Sequence, residues 1–334
     1  AARARRDDLA VEIWLAELWQ RSVRGVSNEV VEPLVRAATL ALARAGEPPR
    51  LAALHHSVVA HTYQRQGAHE RALRHYDAAL ALIERHQLGA SLALKTRLNR
   101  ATLLAAHAEL TGAEAALREL LSDIEATLGP QHPIAAAALA ELSGLARRQG
   151  HPAAALELLV RATAIKTVEL GPDHPSTLHS QANRALVLEE LGQFEAAAAT
   201  LTEVLTRRRR LHGEADARVS ETLANLASLR LRQGAVDAAE AAVTEALAID
   251  RGLQGDDHAS VAVDRMILAT ALLARDAHAS ARTELEQARA TFLAVDFPER
   301  DYLDEWLRHH AAALTGLGRH HEALADLARA RDLA

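Results

Sequence analysis

The sequence has no cysteine, which excludes disulfides, thiolate nucleophiles and metal sites built on sulfur. Phe, Trp and Tyr number three each in 334 residues. That is too few for a large core of the usual kind, where rings supply much of the buried area. Glycine (16) and proline (9) are scarce for a β-rich chain with many tight turns. Lysine is nearly absent: of 38 basic residues only Lys95 and Lys166 are not arginine. The bias toward Arg, Ala and Leu follows GC-rich coding and points to a bacterial source. With a net charge of −6 the chain has no overall basic field to attract nucleic acid. The longest largely apolar run, 266–274, is far shorter than the ~20 residues of a spanning helix, so no membrane insertion is expected. No secretory leader is visible, and a cytoplasmic location is expected. The chain starts at Ala1 and its single Met is Met266, so it reads as a fragment or processed product of a longer protein.

What is abundant is alanine and leucine, both strong helix formers, and the fold class expected is all-α. Helix breaks recur with a fixed period. Gly150, Gly192 and Gly234 are 42 residues apart; two further steps reach Asp276, where Asp replaces Gly, and Gly318. Gly67 lies 42 after Gly25, and one more break is expected near Gly112. An alanine follows each break but the first, where Val30 follows Gly25: Ala72, Ala116, Ala155, Ala197, Ala239, Ala281 and Ala323. The uneven spacing at Ala116 implies three extra residues in the turn around 109–112. A small residue stands seven before six of the breaks, at Ala60, Ser143, Ala185, Ala227, Ala269 and Ala311, letting paired helices approach closely. Leu128-Gly-Pro-Gln-His-Pro133 and Leu170-Gly-Pro-Asp-His-Pro175 mark the other end of each unit, where Gly stops one helix and Pro opens the next. Each unit is therefore helix, short turn, helix, longer loop. One such pair cannot bury its apolar face alone, but stacked pairs can.

These positions resemble the tetratricopeptide repeat. Gly67, Ala72, Tyr76 and Ala79, and again Gly234, Ala239, Val243 and Ala246, carry its marks. The 42-residue period and the Gly-Pro-Asp-His-Pro loop are similar to the kinesin light chain type. The resemblance implies a right-handed α-solenoid of about eight helix pairs in a single domain, 1–334, with turns near 25, 67, 112, 150, 192, 234, 276 and 318. The stretch 10–19 also resembles the repeat segments that follow the catalytic domain in large bacterial Ser/Thr kinases.

Enzyme motifs are missing. There is no G-x-G-x-x-G, no G-x-x-x-x-G-K-[ST], no G-x-S-x-G, and no kinase H-R-D or D-F-G. No enzyme activity, cofactor or metal is expected. His132, His174 and His258 fall in the inter-repeat loops and read as a fold signature. The doublets at 55–56, 309–310 and 320–321, and the four arginines 207–210, read as solvated surface.

Function is therefore expected in binding a protein or peptide. In the family this chain resembles, the first helix of each unit lines a concave groove, and an Asn nine before the break contacts the backbone of bound peptide. Asn183 and Asn225 stand there, 42 apart, and an amide can pair with both N–H and C=O of an extended chain. The central lining expected is His179, Asn183, Leu186, Glu190, Glu221, Asn225, Ser228 and Arg232. Arg65, Arg148 and Arg232, two before their breaks, offer a cationic stripe for an acidic peptide, interrupted by Glu190. Two further roles are open: a regulatory or sensory region of a larger bacterial signalling protein such as a Ser/Thr kinase, and a scaffold that self-associates through its end helices, where Leu324 and Leu327 lack a cap.

Overall fold

The computed structural model describes residues 2–23, 28–105, 110–295, 297–299 and 302–333. Among the described residues there are sixteen helices and no strand. They fall into two compact units, Ala1–Glu169 and Leu170–Ala334. The first unit holds α1 (Ala2–Val23), α2 (Asn28–Arg44), α3 (Pro49–Arg65), α4 (His69–His86), α5 (Ala90–Ala105), α6 (Leu110–Leu128), α7 (Pro133–Arg148) and α8 (Pro152–Leu170). The second holds α9 (Pro175–Glu190), α10 (Phe194–His212), α11 (Ala217–Arg232), α12 (Val236–Gln254), α13 (Ala259–Leu273), α14 (His278–Ala294), α15 (Leu303–Gly316) and α16 (His320–Leu333). Within each unit the helices stack as antiparallel pairs. The second helix of a pair packs on the first helix of the next, and successive first helices also touch, as in α9, α11 and α13.

The short turns use the left-handed backbone that favours glycine. At Gly150 φ is +77°, and the His151 N–H reaches back to the Ala146 carbonyl at 2.8 Å, closing the helix end. Asp276 takes the same conformation with φ +58°, and the Ala277 N–H reaches the Leu272 carbonyl at 2.9 Å. The turns expected at 67, 150, 192, 234, 276 and 318 all have positive φ. The one expected at 25 lies outside the described residues.

The break expected near 112 is corrected. Gly112 belongs to the first turn of α6, and the alanine that fits the core is Ala113, only 9% exposed, while Ala116 faces solvent. Ala113 is 42 residues before Ala155, so no three-residue insertion exists. The glycine misled because it sits one residue before the core position rather than in a turn.

The small residues seven before each turn are all buried. At Ser143 the buried hydroxyl donates to the Ala155 carbonyl at 3.0 Å, so the exception to alanine is satisfied. Fully buried Leu139, Leu201 and Leu285 fill the space that aromatic rings occupy elsewhere, each worth ~1.5–3 kcal/mol. Rings gather at one place, where Phe292 stacks on Tyr302 at 4.2 Å and the Trp306 indole N–H donates to the Leu285 carbonyl at 2.7 Å.

Candidate functional site

The loop histidines explain how the first helices start. His174 Nδ1 accepts the Ser176 N–H at 3.1 Å, His132 Nδ1 the Ile134 N–H at 3.1 Å and His258 Nδ1 the Ser260 N–H at 3.2 Å. Asp216 does the same for Arg218 at 2.9 Å. Each side chain satisfies an orphan amide at a helix N-terminus, and the Pro that follows two of them loses no bond there. The histidine signature is thus a cap, and it sets where α7, α9 and α13 begin. Among the described residues no three His, Asp or Glu side chains converge to hold a metal ion.

On α9, positions 179, 183, 186 and 190 lie at spacings of four, three and four, which keeps them on one helix face. His179 and Glu190 are exposed, and Asn183 and Leu186 are half-buried. On α11 the stripe repeats: Glu221 and Arg232 exposed, Asn225 and Ser228 half-buried. The nine-before position is therefore a shallow, solvent-reaching site in both helices. Asn183 Nδ2 meets His179 Nε2 at 3.2 Å, which orients its amide.

Two of the named residues hold neighbouring repeats together. Arg232 donates to the Glu189 carboxylate at 3.2 Å and lies 5.7 Å over the Phe194 ring. In the first unit Arg148 donates to the Ala105 carbonyl at 3.1 Å, reaching back by the same 43 residues. The arginine two before a break thus ties its helix to the end of the preceding first helix; of the two, Arg232 is paired with a carboxylate, while Arg148 bonds a neutral carbonyl. Glu221 accepts from Arg208, at 3.0 Å. Arg208 is itself only 3% exposed and also donates to the Arg218 carbonyl and the Thr222 hydroxyl, so the four-arginine run is not uniformly solvated. The histidine doublets are corrected likewise at 55, which is buried against Thr39.

Reasoning from residue type missed the continuation of the stripe. Adding 42 to the α11 positions gives Val263, Ile267, Thr270 and Ala274; adding it again gives Glu305, His309, Ala312 and Gly316. Thr270 Oγ1 lies 3.4 Å from His309 Nδ1, so stripe positions on adjacent first helices do meet. Burial holds the His309 imidazole below its ordinary range, against the opposing pull of Glu305. The corrected frame also places Asn99 on α5 in line with Asn183, 84 residues earlier. On α7 the same place is Glu141, whose carboxyl burial pushes up, while a Thr102 hydrogen bond and Lys166 pull it down.

The tetratricopeptide repeat family matches residues 57–86, 94–134, 135–176 and 177–217, and these ranges fall on the helix pairs just described. The chain carries tetratricopeptide repeats. No curated protein matches it in sequence. Among solved structures it is similar to kinesin light chain nearly identical TPR-like repeats from Podosopora anserina, with TM-score 0.53 and 24% identity over 61% of this chain and 97% of that one. BtubC (BKLC) from P. vanneervenii aligns with TM-score 0.58 and 23% identity, covering 69% and 93%. A Rap protein complexed with Competence and Sporulation Factor aligns with TM-score 0.62 and 13% identity over 98% of both chains. These likenesses establish a shared tetratricopeptide-repeat architecture. No helix among the described residues is long and apolar enough to cross a membrane.

Proposed function

We propose that this tetratricopeptide-repeat chain is a bacterial, cytoplasmic protein-binding scaffold, and that the first-helix face of the second unit takes an extended segment of a partner protein. The observation that carries the reading is the half-buried pair Asn183 and Asn225, at one repeat position on α9 and α11. Asparagine inside a helix costs roughly 0.6 kcal/mol against alanine, and neither residue is needed to fill a core. An amide can accept from a peptide N–H and donate to its C=O, which suits main-chain recognition. His179, Leu186, Glu190 and Ser228 flank the pair. Glu221 and Arg232, held by Arg208 and Glu189, supply fixed walls, and Arg148 plays the same bracing part in the first unit. A pre-built face of this kind loses little conformational freedom on binding. The chain works by binding rather than by catalysis.

The test is an Asn183→Ala, Asn225→Ala double variant. Capture of partner proteins from a bacterial lysate, followed by mass spectrometry, should lose the partners seen with the wild type, at a melting temperature no lower than the wild type's. Capture that is the same with both proteins refutes the reading. A second reading, self-association through α16, draws on exposed Leu324 and Leu327, the latter at the place where Leu201 and Leu285 of earlier pairs are fully buried. Light scattering across a concentration series tests it, and a constant monomer mass removes it.

A further inference from the structure

The first-helix face of the second unit changes character along its length. On α9 and α11 the stripe is polar except for Leu186. On α13 the same four places hold Val263, Ile267, Thr270 and Ala274, and on α15 Ala312 and Gly316 follow. Val263 is 41% exposed, at the position occupied by His179 and Glu221 in the two preceding pairs. Ile267 is half-buried where Asn183 and Asn225 stand. Nothing in the packing of the pair requires an aliphatic residue at these two places, because other repeats put polar groups there.

Charge on the face is also one-sided. Its carboxylates are Glu190, Glu305 and Glu221, the last paired with Arg208, and its one guanidinium, Arg232, is paired with Glu189. Glu305 is exposed in the first turn of α15, one helix beyond the aliphatic patch. The acidic-peptide preference drawn from the arginines therefore runs against the charge that this face presents.

Resting on the groove reading above, we infer that the bound segment is an extended peptide with an aliphatic side chain and, about three residues from it, a basic one. Its main chain is held along α9 and α11 by Asn183 and Asn225, its aliphatic side chain lies against Val263 and Ile267, and its Lys or Arg faces Glu305. The register follows from two spacings. Packed helices stand ~8–10 Å apart, and an extended chain advances ~3.3 Å per residue. One step from helix to helix thus spans about three residues, so the aliphatic and basic residues fall about three apart, with the aliphatic one about three from the residue bonded to Asn225.

The experiment is selection of a phage library of random dodecapeptides on the purified full chain, with affinities of synthetic hits measured by fluorescence polarisation. Wild-type hits should share Leu, Ile, Val or Met at one position and Lys or Arg about three residues away. Replacing either with Asp should weaken binding by about tenfold or more. Val263→Lys should remove the aliphatic preference, and Glu305→Lys the basic one, while peptides still bind. Hits that depend on Asn225 yet carry neither preference overturn this inference and leave the groove reading standing, as do preferences that persist in both variants. Hits indifferent to Asn183→Ala with Asn225→Ala, or no hits at all, overturn both.

Discussion

Asp264 offers a quantitative test of how the second unit is built. Its carboxyl is 2% exposed on α13, and Asp250, on α12, is 4% exposed. Asp264 Oδ2 and Asp250 Oδ1 are buried, and neither has a hydrogen-bond partner among the described residues. Burial, and then the neighbouring Asp250, push the Asp264 carboxyl up from 3.8 to about 8. A carboxyl whose pKa is raised on folding stays protonated in the native protein while the unfolded chain has already ionised. Its cost begins as pH rises past the unfolded value near 4 and grows until about 8, where the native group also ionises. At pH 7 the gap is about three pH units, or ~4 kcal/mol. The isostere Asp264→Asn removes the ionisation and keeps the shape. Its excess stability over the wild type should be near zero at pH 4, reach ~4 kcal/mol at pH 7 and level off above pH 8. For a unit of this size that is a rise in melting temperature of roughly 8–16 °C at pH 7. Differential scanning calorimetry of both proteins from pH 4 to 8.5 measures it, and subtracting the two curves cancels every other titrating group. A difference that does not change with pH, or an Asn variant less stable at pH 7, refutes the assignment.

Acid should loosen the first unit before the second. His55, His61 and His75 are each lowered from 6.5 to about 4, chiefly by burial and then by neighbouring cations or histidines. The native state prefers them neutral, so their stability is complete above pH 6.5 and is lost as pH falls through 4, at up to about 2 kcal/mol by pH 5 for buried His55 and less for the half-buried His61 and His75. At His55 the Thr39 hydroxyl donates to the Val35 carbonyl and accepts from Nε2–H, leaving the buried Nδ1 with no acceptor to receive a new proton. Hydrogen exchange at pH 5 should show α3 and α4 losing protection ahead of α10 and α12; equal losses contradict this. Asp276→Gly should stabilise by about 0.5–1 kcal/mol, since a left-handed Asp is more strained than Gly, whereas a drop in melting temperature would mean that the Asp side chain is needed at the turn. Ala113→Leu should cost ~1–3 kcal/mol by overpacking, and Ala116→Leu under ~0.5 kcal/mol. The reverse order would restore the turn at Gly112.

Much of the fold was legible because a repeat prints its geometry as spacing. The burial of Ala155, Ala197 and Ala239 follows from their common distance to a turn. Asp276 could be placed in a turn by frame alone, although its residue type argues for it less strongly than glycine does. The frame failed only where a stray glycine outweighed it, at 112. Of the proposed binding face, the sequence showed the repeat stripe on α9 and α11. The continuation of that stripe to Val263, Ile267 and Glu305 was hidden because those residues share a position, not a chemistry, with the asparagines.

By itself the sequence determined the all-α class, the helix-pair unit and its period, and the turns that separate the helices. Those are local matters: helix propensity, a residue able to adopt positive φ, and small side chains at close approaches. Only the tertiary structure decided which charges are buried and what they touch. Arg208 lies under α11, Arg232 reaches Glu189 in the preceding pair, and Asp250 and Asp264 are shut in together. Each involves side chains from different helices, whose facing depends on how far one pair rotates on the next. A one-dimensional period carries the spacing of such residues, but not the desolvation or the partner that sets their charge.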